Sequence, residues 1–159
     1  MTLHEAKEGI KKIEGGPASI AAAVRGVSPA ALRYKPSPGK WSIVEIVAHL
    51  ADVELVYGHR LRQALAEAKP TFAPMDQEAW AANLGYADIP VEDSLEAFGV
   101  GRKANVRLLR RVTEADLSKG GFHPELKSVH TVADLIQRML KHDPNHLGQI
   151  ERLKQQAAK

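Results

Sequence analysis

The sequence predicts an all-α protein, a four-helix bundle with short extra helices in its connections. Apolar residues recur at helical spacing in four long segments that glycine and proline separate, and no run of alternating apolar and polar residues is long enough for a convincing strand. With 159 residues and 44% hydrophobic content, the chain can bury one core. We therefore expect a single domain over residues 1–159.

The first two long helices have clear local signals. Residues 3–24 are predicted to be helical, with a break or kink at residues 15–17, which read Gly-Gly-Pro. Ser42 and Glu45 form the SxxE pattern of a capping box directly before an apolar periodic run. A long helix should therefore begin at Ser42 and reach about residue 68, before the next proline.

The second half of the chain is predicted to hold a short helix over residues 75–84 and a long helix over residues 91–112. The connection at residues 113–129 contains two glycines and a proline, which favours a loop with a single turn. The last helix is expected to begin at Thr131 and to run to about Leu153.

Composition excludes several classes of function. The chain has no cysteine, so disulfides, thiolate ligands and a cysteine nucleophile are absent, and any metal must be held by nitrogen and oxygen. The net charge is +3 and the sequence pI is about 9.2, but basic and acidic residues alternate, and the densest basic stretch, residues 102–111, has apolar residues at helical spacing. We expect no nucleic-acid partner, no membrane span and a cytoplasmic location.

Three histidines, His49, His142 and His146, suggest a metal site. At about 100° per residue, His146 falls inside the apolar stripe of the last helix, and His142 lies four residues earlier on the same face. His49 lies about 60° from the centre of the stripe of its own helix, so it can point inward from the facing helix. Three imidazoles from two helices could converge on one ion, although hydrogen-bonded core histidines would give the same pattern.

Acidic residues flank these histidines. Glu45 and Asp52 lie on the same flank of the helix as His49, and Asp143 follows His142. Carboxylates so placed commonly accept the second N–H of a metal-bound imidazole or act as a further ligand, so we predict this role for all three. Pro144 stands between the two histidines of the last helix and is expected to kink it.

Three longer segments carry a family resemblance: WSIVEIVAHLADVE (41–54), GFHPELKSVHTVADLI (121–136) and KHDPNHLGQI (141–150). They resemble those of the DinB/YfiT-like superfamily. The resemblance implies a four-helix bundle of up-down-down-up topology and a divalent metal bound by the three histidines. Relatives of this kind often have a glycine where this chain has Lys127 and Ser128.

The resemblance also implies a function, because characterised relatives include enzymes that activate a low-molecular-weight thiol at the metal. A metal-dependent S-transferase that uses such a thiol is therefore the first hypothesis. A metal-dependent hydrolase that uses bound hydroxide and a non-catalytic, stress-associated metal-binding bundle are the alternatives. The expected ion is zinc or nickel, with iron or manganese also suited to imidazole ligands. The expected partner is a small molecule, and a homodimer stays open.

Other residues near the predicted site have less specific patterns. His123 and Tyr57 could transfer protons near the metal, but a surface loop histidine and a core tyrosine are the more frequent cases. Arg60 could reach an anionic thiol, but a solvated or paired arginine is more usual. His4, His59 and His130 have no chemically related neighbours in the sequence and are expected to be exposed.

Overall fold

The structure is a computed structural model that describes residues 1–158. It contains seven α-helices, a two-stranded antiparallel sheet, and 3-10 turns at Tyr86–Asp88 and Ala115–Ser118. The helices and strands are α1 (Leu3–Glu14), α2 (Gly16–Val24), α3 (Pro29–Arg33), α4 (Ile43–Ala66), α5 (Gln77–Asn83), α6 (Val91–Leu109), β1 (Gly120–His123), β2 (Ser128–Thr131) and α7 (Val132–Ala157).

The predicted first helical region is present, and it breaks where the sequence indicates. α1 begins at a capping box formed by Thr2 and Glu5, and it ends at Gly15, after which α2 starts with a proline in its first turn. A side chain at position 16 has no room, because a Cβ added to Gly16 would overlap the carboxylate of Asp143. The short helix α3, which the sequence did not predict, begins at the cap residue Ser28.

The two longest helices carry the predicted histidines. α4 begins at the predicted capping box, in which the Ser42 N–H donates to Glu45 Oε2 at 2.8 Å. α7 begins after Thr131, whose hydroxyl accepts from the Asp134 N–H at 3.1 Å, and it continues unbroken through Pro144. Within residues 1–158, no helix is long and apolar enough to cross a membrane.

Contacts between the helices give the direction of each. Gly101 and Asn105 of α6 lie against Glu54 and Gly58 of α4 respectively, so these two helices run parallel. On the other side, Gly9 of α1 lies against Ile136 and Leu140 of α7, and Gly16 of α2 lies against Asp143. The first helical region, α1 and α2, therefore runs parallel to α7. His49 and Tyr57 of α4 contact the later and earlier parts of α7, which makes that pair antiparallel. The bundle therefore has the predicted up-down-down-up order.

The prediction of a loop at residues 113–129 is wrong in part, because a β-hairpin forms there. β1 and β2 pair from Gly120 opposite Thr131 to His123 opposite Ser128. Phe122 also exchanges backbone hydrogen bonds with residues 70–72, at 2.8 and 2.9 Å, which fixes the hairpin to the connection after α4. Lys127 has a φ of 50°, the left-handed conformation that glycine favours.

The apolar core has two main clusters with a polar layer between them. One cluster contains the later half of α4 and the start of α7, and the other contains the earlier half of α4 and the end of α7. Between them on α6 lies Arg102, whose side chain is 3% exposed and pairs with Glu54 and Asp143. His142 and His146 lie at the same level of α7, so the candidate site belongs to this polar layer.

Candidate metal centre

His49 is closely packed on α4. Its side chain is only 2% exposed, and the ring centroid lies 4.8 Å from that of Trp41, which precedes the helix. The capping box at Ser42 fixes the first turn, so the register of the helix directs His49 toward α7. The ring therefore projects into the bundle from a helix whose neighbouring residues are almost all buried.

His142 and His146 lie one helical turn apart on α7, and their rings are stacked edge to face with centroids 4.5 Å apart. Their Nε2 atoms are 3.2 Å apart, and the Nε2 of His142 is 3.3 Å from that of His49. The three ligand atoms all lie within 4.8 Å of one another. The structure thus brings together the three histidines that the sequence singled out.

These distances suit a common metal ion. A zinc–nitrogen distance of about 2.0–2.1 Å with tetrahedral angles would place two nitrogen ligands roughly 3.3–3.4 Å apart. The two Nε2 separations of 3.3 and 3.2 Å are close to that spacing. The donor set therefore fits a small divalent cation with three imidazole ligands.

The electrostatics keep these imidazoles neutral. Burial, and to a lesser extent the nearby His146, lowers the pKa of His49 to about 3. The pKa of His142 is also lowered to about 3, by burial first and then by both neighbouring histidines and Arg102. Burial likewise lowers the pKa of His146. Neutral rings have free lone pairs at neutral pH, as metal ligation requires.

Gln149 is a part of the site that sequence reasoning missed. Its Oε1 lies 3.1 Å from Nδ1 of His146. An amide oxygen can only accept, so Nδ1 carries the proton and the lone pair of Nε2 faces the other two rings. The sequence spacing could have predicted this contact, because Gln149 lies three residues after His146 and therefore on the same face of the helix.

The three carboxylates predicted to support the histidines form other bonds in this structure. Glu45 accepts from the Ser42 cap and from Lys35 at 2.7 Å. Asp52 accepts from the hydroxyl of Tyr86 at 2.6 Å. Asp143, the third, pairs with a guanidinium on α6. Nδ1 of His49, which such a carboxylate would have bound, is buried and has no partner within residues 1–158.

Other predicted residues have mixed outcomes. His123 is 7% exposed, so the expectation of a surface loop histidine is wrong; the hairpin buries it against Arg60, whose Nη2 is 3.3 Å from its Nε2. Tyr57 is a buried tyrosine as expected, and its ring stands edge-on to His142 with centroids 6.0 Å apart. His130, expected to be isolated and exposed, is half-buried and lies beside Arg138.

Comparison with known proteins agrees with this picture. A family model described as the DinB superfamily matches residues 12–150. A candidate metal-dependent hydrolase from Oceanobacillus iheyensis is 28% identical over 151 residues, covering 95% of this chain and 86% of the relative. YfiT from Bacillus subtilis, also named as a candidate metal-dependent hydrolase, is 26% identical over 147 residues, covering 91% and 81%.

A solved structure of YfiT from Bacillus subtilis, described as a probable metal-dependent hydrolase with an unusual four-helix bundle topology, superimposes with a TM-score of 0.92. It is 24% identical in sequence, and the match covers 98% of this chain and 89% of that one. This likeness confirms the predicted fold, and the family match confirms the predicted family. The chain belongs to the DinB superfamily.

Proposed function

We propose that this protein is a divalent-metal-dependent hydrolase whose ion is held by His49, His142 and His146. The observation that carries the proposal is the convergence of three imidazole Nε2 atoms inside the bundle, two pairs of which are 3.3 and 3.2 Å apart. The names of the relatives, candidate metal-dependent hydrolases, support the choice of reaction class. Three protein ligands would leave a coordination position for a reactant, as in catalytic zinc sites.

The ion supplies the electrophilic chemistry. When bound, a divalent cation lowers the pKa of a water or thiol ligand toward neutrality and polarises an oxygen of the substrate. Imidazole ligands suit zinc and nickel, and also iron, whereas manganese prefers oxygen ligands. The absence of cysteine makes an all-nitrogen protein ligand set the simplest arrangement here.

The residues of the chain position the metal ligands and the reactants. Trp41 packs against the ring of His49, with centroids 4.8 Å apart, and so restricts the orientation of this ligand. Burial raises the pKa of Tyr57 to about 12, so its phenol keeps its proton at neutral pH. The phenol, whose ring adjoins His142, can therefore donate a hydrogen bond to an oxygen of a bound substrate.

A second candidate is thiol transfer, in which the nucleophile is a small thiol rather than water. The observation that favours it is the pair of arginines near Tyr57, Arg60 and Arg138, whose charges both act on the tyrosine. Small cellular thiols carry carboxylates, which guanidinium groups bind well. Since the chain has no cysteine, that thiol would come from a cosubstrate.

The test begins with metal content. Elemental analysis of the purified protein should find about one divalent ion per chain, and a triple variant, His49→Ala, His142→Ala, His146→Ala, should contain none. The matched control replaces exposed histidines, His4→Ala and His59→Ala, and should keep the ion. Circular dichroism of each variant establishes that the helices remain.

Activity assays then distinguish a hydrolase from a thiol transferase and from a non-catalytic protein. A panel of esters, amides and phosphoesters is assayed with and without a small thiol, before and after removal of metal by a chelator. Hydrolysis that needs metal but no thiol supports the proposal, and consumption of an electrophile only with thiol supports the second candidate. Bound metal with no turnover in either assay would indicate a non-catalytic metal-binding protein. If the unsubstituted protein binds no metal after incubation with zinc, nickel and manganese, both proposals are overturned.

A further inference from the structure

A cleft of about 210 Å³ separates the junction of α1 and α2 from α7. Its walls are apolar and consist of Ile13, Ile20, Met139, Leu140 and Leu147. At about 100° per residue, Leu140 and Leu147 lie roughly 100–160° around α7 from His142 and His146, so the cleft and the candidate metal centre are on different sides of this helix. The volume admits a small organic molecule, since an engineered apolar cavity of about 150 Å³ in another protein holds benzene.

Two helix-breaking features face each other across the cleft, Gly15 and Gly16 on one side and Pro144 on the other. Gly15 has a φ of −76° and a ψ of −12°, a conformation that any residue adopts. Within residues 1–158, the nearest atom to a Cβ added at Gly15 is the Lys12 carbonyl oxygen, at an ordinary contact distance of 3.5 Å. Neither backbone strain nor a close neighbour therefore requires glycine at position 15, and the effect of this glycine is to leave the cleft open.

The polar end of the cleft offers hydrogen-bond acceptors from α7. The Asp143 carboxylate accepts from Nη1 and Nη2 of Arg102, at 2.6 and 3.1 Å, and each of its oxygens can accept a second hydrogen bond. The Leu140 carbonyl would ordinarily accept from residue 144, but Pro144 has no N–H. Leu140, Asp143 and Pro144 all line the cleft within about one helical turn, so both acceptors face the same end of it.

The buried charges beneath this end favour a cation. Arg102 pairs with both Glu54 and Asp143, and the three side chains are 3%, 1% and 9% exposed. One guanidinium and two ionised carboxylates together carry one net negative charge, which water screens poorly at such depth. Lys12 also lines the cleft, but its side chain is exposed, so its charge is screened by solvent.

We propose that this cleft binds a small primary ammonium ion whose apolar body is a short aliphatic chain or a single ring. The body contacts the apolar walls, and the ammonium group donates to the Asp143 carboxylate and to the Leu140 carbonyl. An ammonium group has three N–H donors and no acceptor, which matches an end that offers acceptors. The net negative charge disfavours a carboxylate or a phosphate. The site is separate from the three histidines and does not rest on the proposed function.

The experiment is an NMR titration of the full chain, labelled with carbon-13 at its methionine methyl groups. The chain has three methionines, Met1, Met75 and Met139, of which Met139 lines the cleft. Benzylamine at neutral pH, where it is protonated, is the probe, and a chelator prevents it from binding a metal ion. We expect a saturable shift of the Met139 signal with unchanged Met1 and Met75 signals, and no shift with sodium chloride at matched ionic strength.

Two further probes keep the ring and change the polar group. Benzyl alcohol is neutral and has one donor, and benzoate is an anion. Benzylammonium should bind about fivefold to tenfold more tightly than benzyl alcohol, because its hydrogen bonds are charge-assisted. Benzoate should bind most weakly of the three.

One pair of variants tests the location of the ligand. Gly15→Leu fills the cleft without backbone strain and should abolish the Met139 shift. Gly99→Leu on α6 is the matched control, since a Cβ added there meets nothing within 4 Å in residues 1–158, and it should leave the affinity unchanged. Circular dichroism of each variant establishes that the helices remain.

A second pair of variants tests the chemistry. Pro144→Ala supplies the N–H that a regular helix donates to the Leu140 carbonyl, and should weaken benzylammonium binding about twofold to tenfold. Glu54→Gln removes the net charge of the buried group and keeps the walls of the cleft, and should weaken it roughly tenfold.

Three results would overturn the proposal. Absence of a saturable Met139 shift in the folded, unsubstituted protein would show that the cleft holds no such ligand. Equal affinity for benzyl alcohol and benzylammonium would remove the ammonium group as the recognised feature. Undiminished binding by folded Gly15→Leu would show that benzylammonium binds outside the cleft.

Discussion

Arg102 on α6 and Asp143 on α7 form a buried ion pair, with Nη1 and Oδ2 2.6 Å apart, directly beside the candidate ligand His142. The same guanidinium makes two hydrogen bonds with Glu54 on α4, at 3.0 and 2.9 Å. Asn105 adds a third contact to that carboxylate, with Nδ2 2.9 Å from Oε1. Nη1 of Arg102 also donates to the backbone carbonyl of Ile13 on α1 at 2.5 Å. One arginine therefore connects all four long helical segments at the level of the metal centre.

Removal of this arginine should be strongly destabilising. Arg102→Met leaves two buried carboxylates without their cation, which we expect to cost about 3–5 kcal/mol in the free energy of unfolding. Urea denaturation of the metal-free protein measures the loss. The matched control is Arg110→Met at the C-terminal cap of the same helix. The side chains of Arg110 and its partner Glu14 are 61% and 48% exposed, so this ion pair should contribute about 0–1 kcal/mol. Equal losses in the two variants would contradict the structural role of the buried pair.

The buried histidines should make the metal-free protein sensitive to acid. The pKa values of His49 and His142 are lowered to about 3 in the folded chain, from 6.5 in the unfolded chain. Between these values the unfolded state binds more protons, so stability is greatest above about pH 6.5 and falls as the pH falls toward 3. Each histidine contributes a slope of up to about 1.4 kcal/mol per pH unit in this window.

Urea denaturation at a series of pH values checks this dependence. His142→Gln should reduce the pH dependence of the free energy of unfolding between pH 4 and 6 by up to about 1.4 kcal/mol per pH unit, the contribution of one proton. His4→Gln, at an exposed position of α1, should not change it. The measurement needs chelator throughout, because bound metal would add its own pH dependence. A slope unchanged in His142→Gln would show that this imidazole titrates normally.

The hairpin depends on a glycine at its first residue. A Cβ added to Gly120 would overlap the backbone carbonyl of His130 on the paired strand, and backbone cannot give way as a side chain can. Gly120→Ala should therefore cost about 1–3 kcal/mol by displacing the strands. Gly99→Ala in α6 is the control, since its added Cβ meets nothing within 4 Å and should stabilise the helix by about 0.8–1 kcal/mol. Thermal unfolding of both variants measures the two opposite shifts.

Tyr86 supports α4 from the connection before α6. It is fully buried, and its hydroxyl donates to Oδ2 of Asp52 at 2.6 Å. Tyr86→Phe should cost about 1.5–3 kcal/mol, the range for a hydrogen bond to a charged group. Tyr34→Phe is the control, because the Tyr34 side chain is half-buried and packs through its ring. A loss below about 0.5 kcal/mol for Tyr86→Phe would mean that Asp52 finds water as a substitute.

The sequence predicted the long helices and the three histidines because both depend on spacing within one element. His142 and His146 are four residues apart, and a helix of regular pitch places them on one face whatever surrounds them. The capping boxes at Ser42 and Thr131 are equally local signals.

Hydrogen-bond and ion-pair partners from distant parts of the chain could not be predicted from spacing within one helix. Asp143 seemed available to a histidine because it follows one, but its carboxylate binds Arg102, which lies 41 residues earlier on another helix. The hairpin escaped detection because each strand has only four residues, too few for an alternating pattern to stand out. The burial of His123 depends on that hairpin and was missed with it.

The overlap between a side chain at position 16 and the buried ion pair has a consequence for how this sequence can change. The first helical region breaks between α1 and α2 where the pair of Arg102 and Asp143 needs space, although Gly16 and Asp143 are 127 positions apart in the sequence. A larger residue at position 16 becomes tolerable only once that pair has been lost, and restoring the pair then requires glycine again. We expect the three positions to be inherited as one unit across the relatives of this protein.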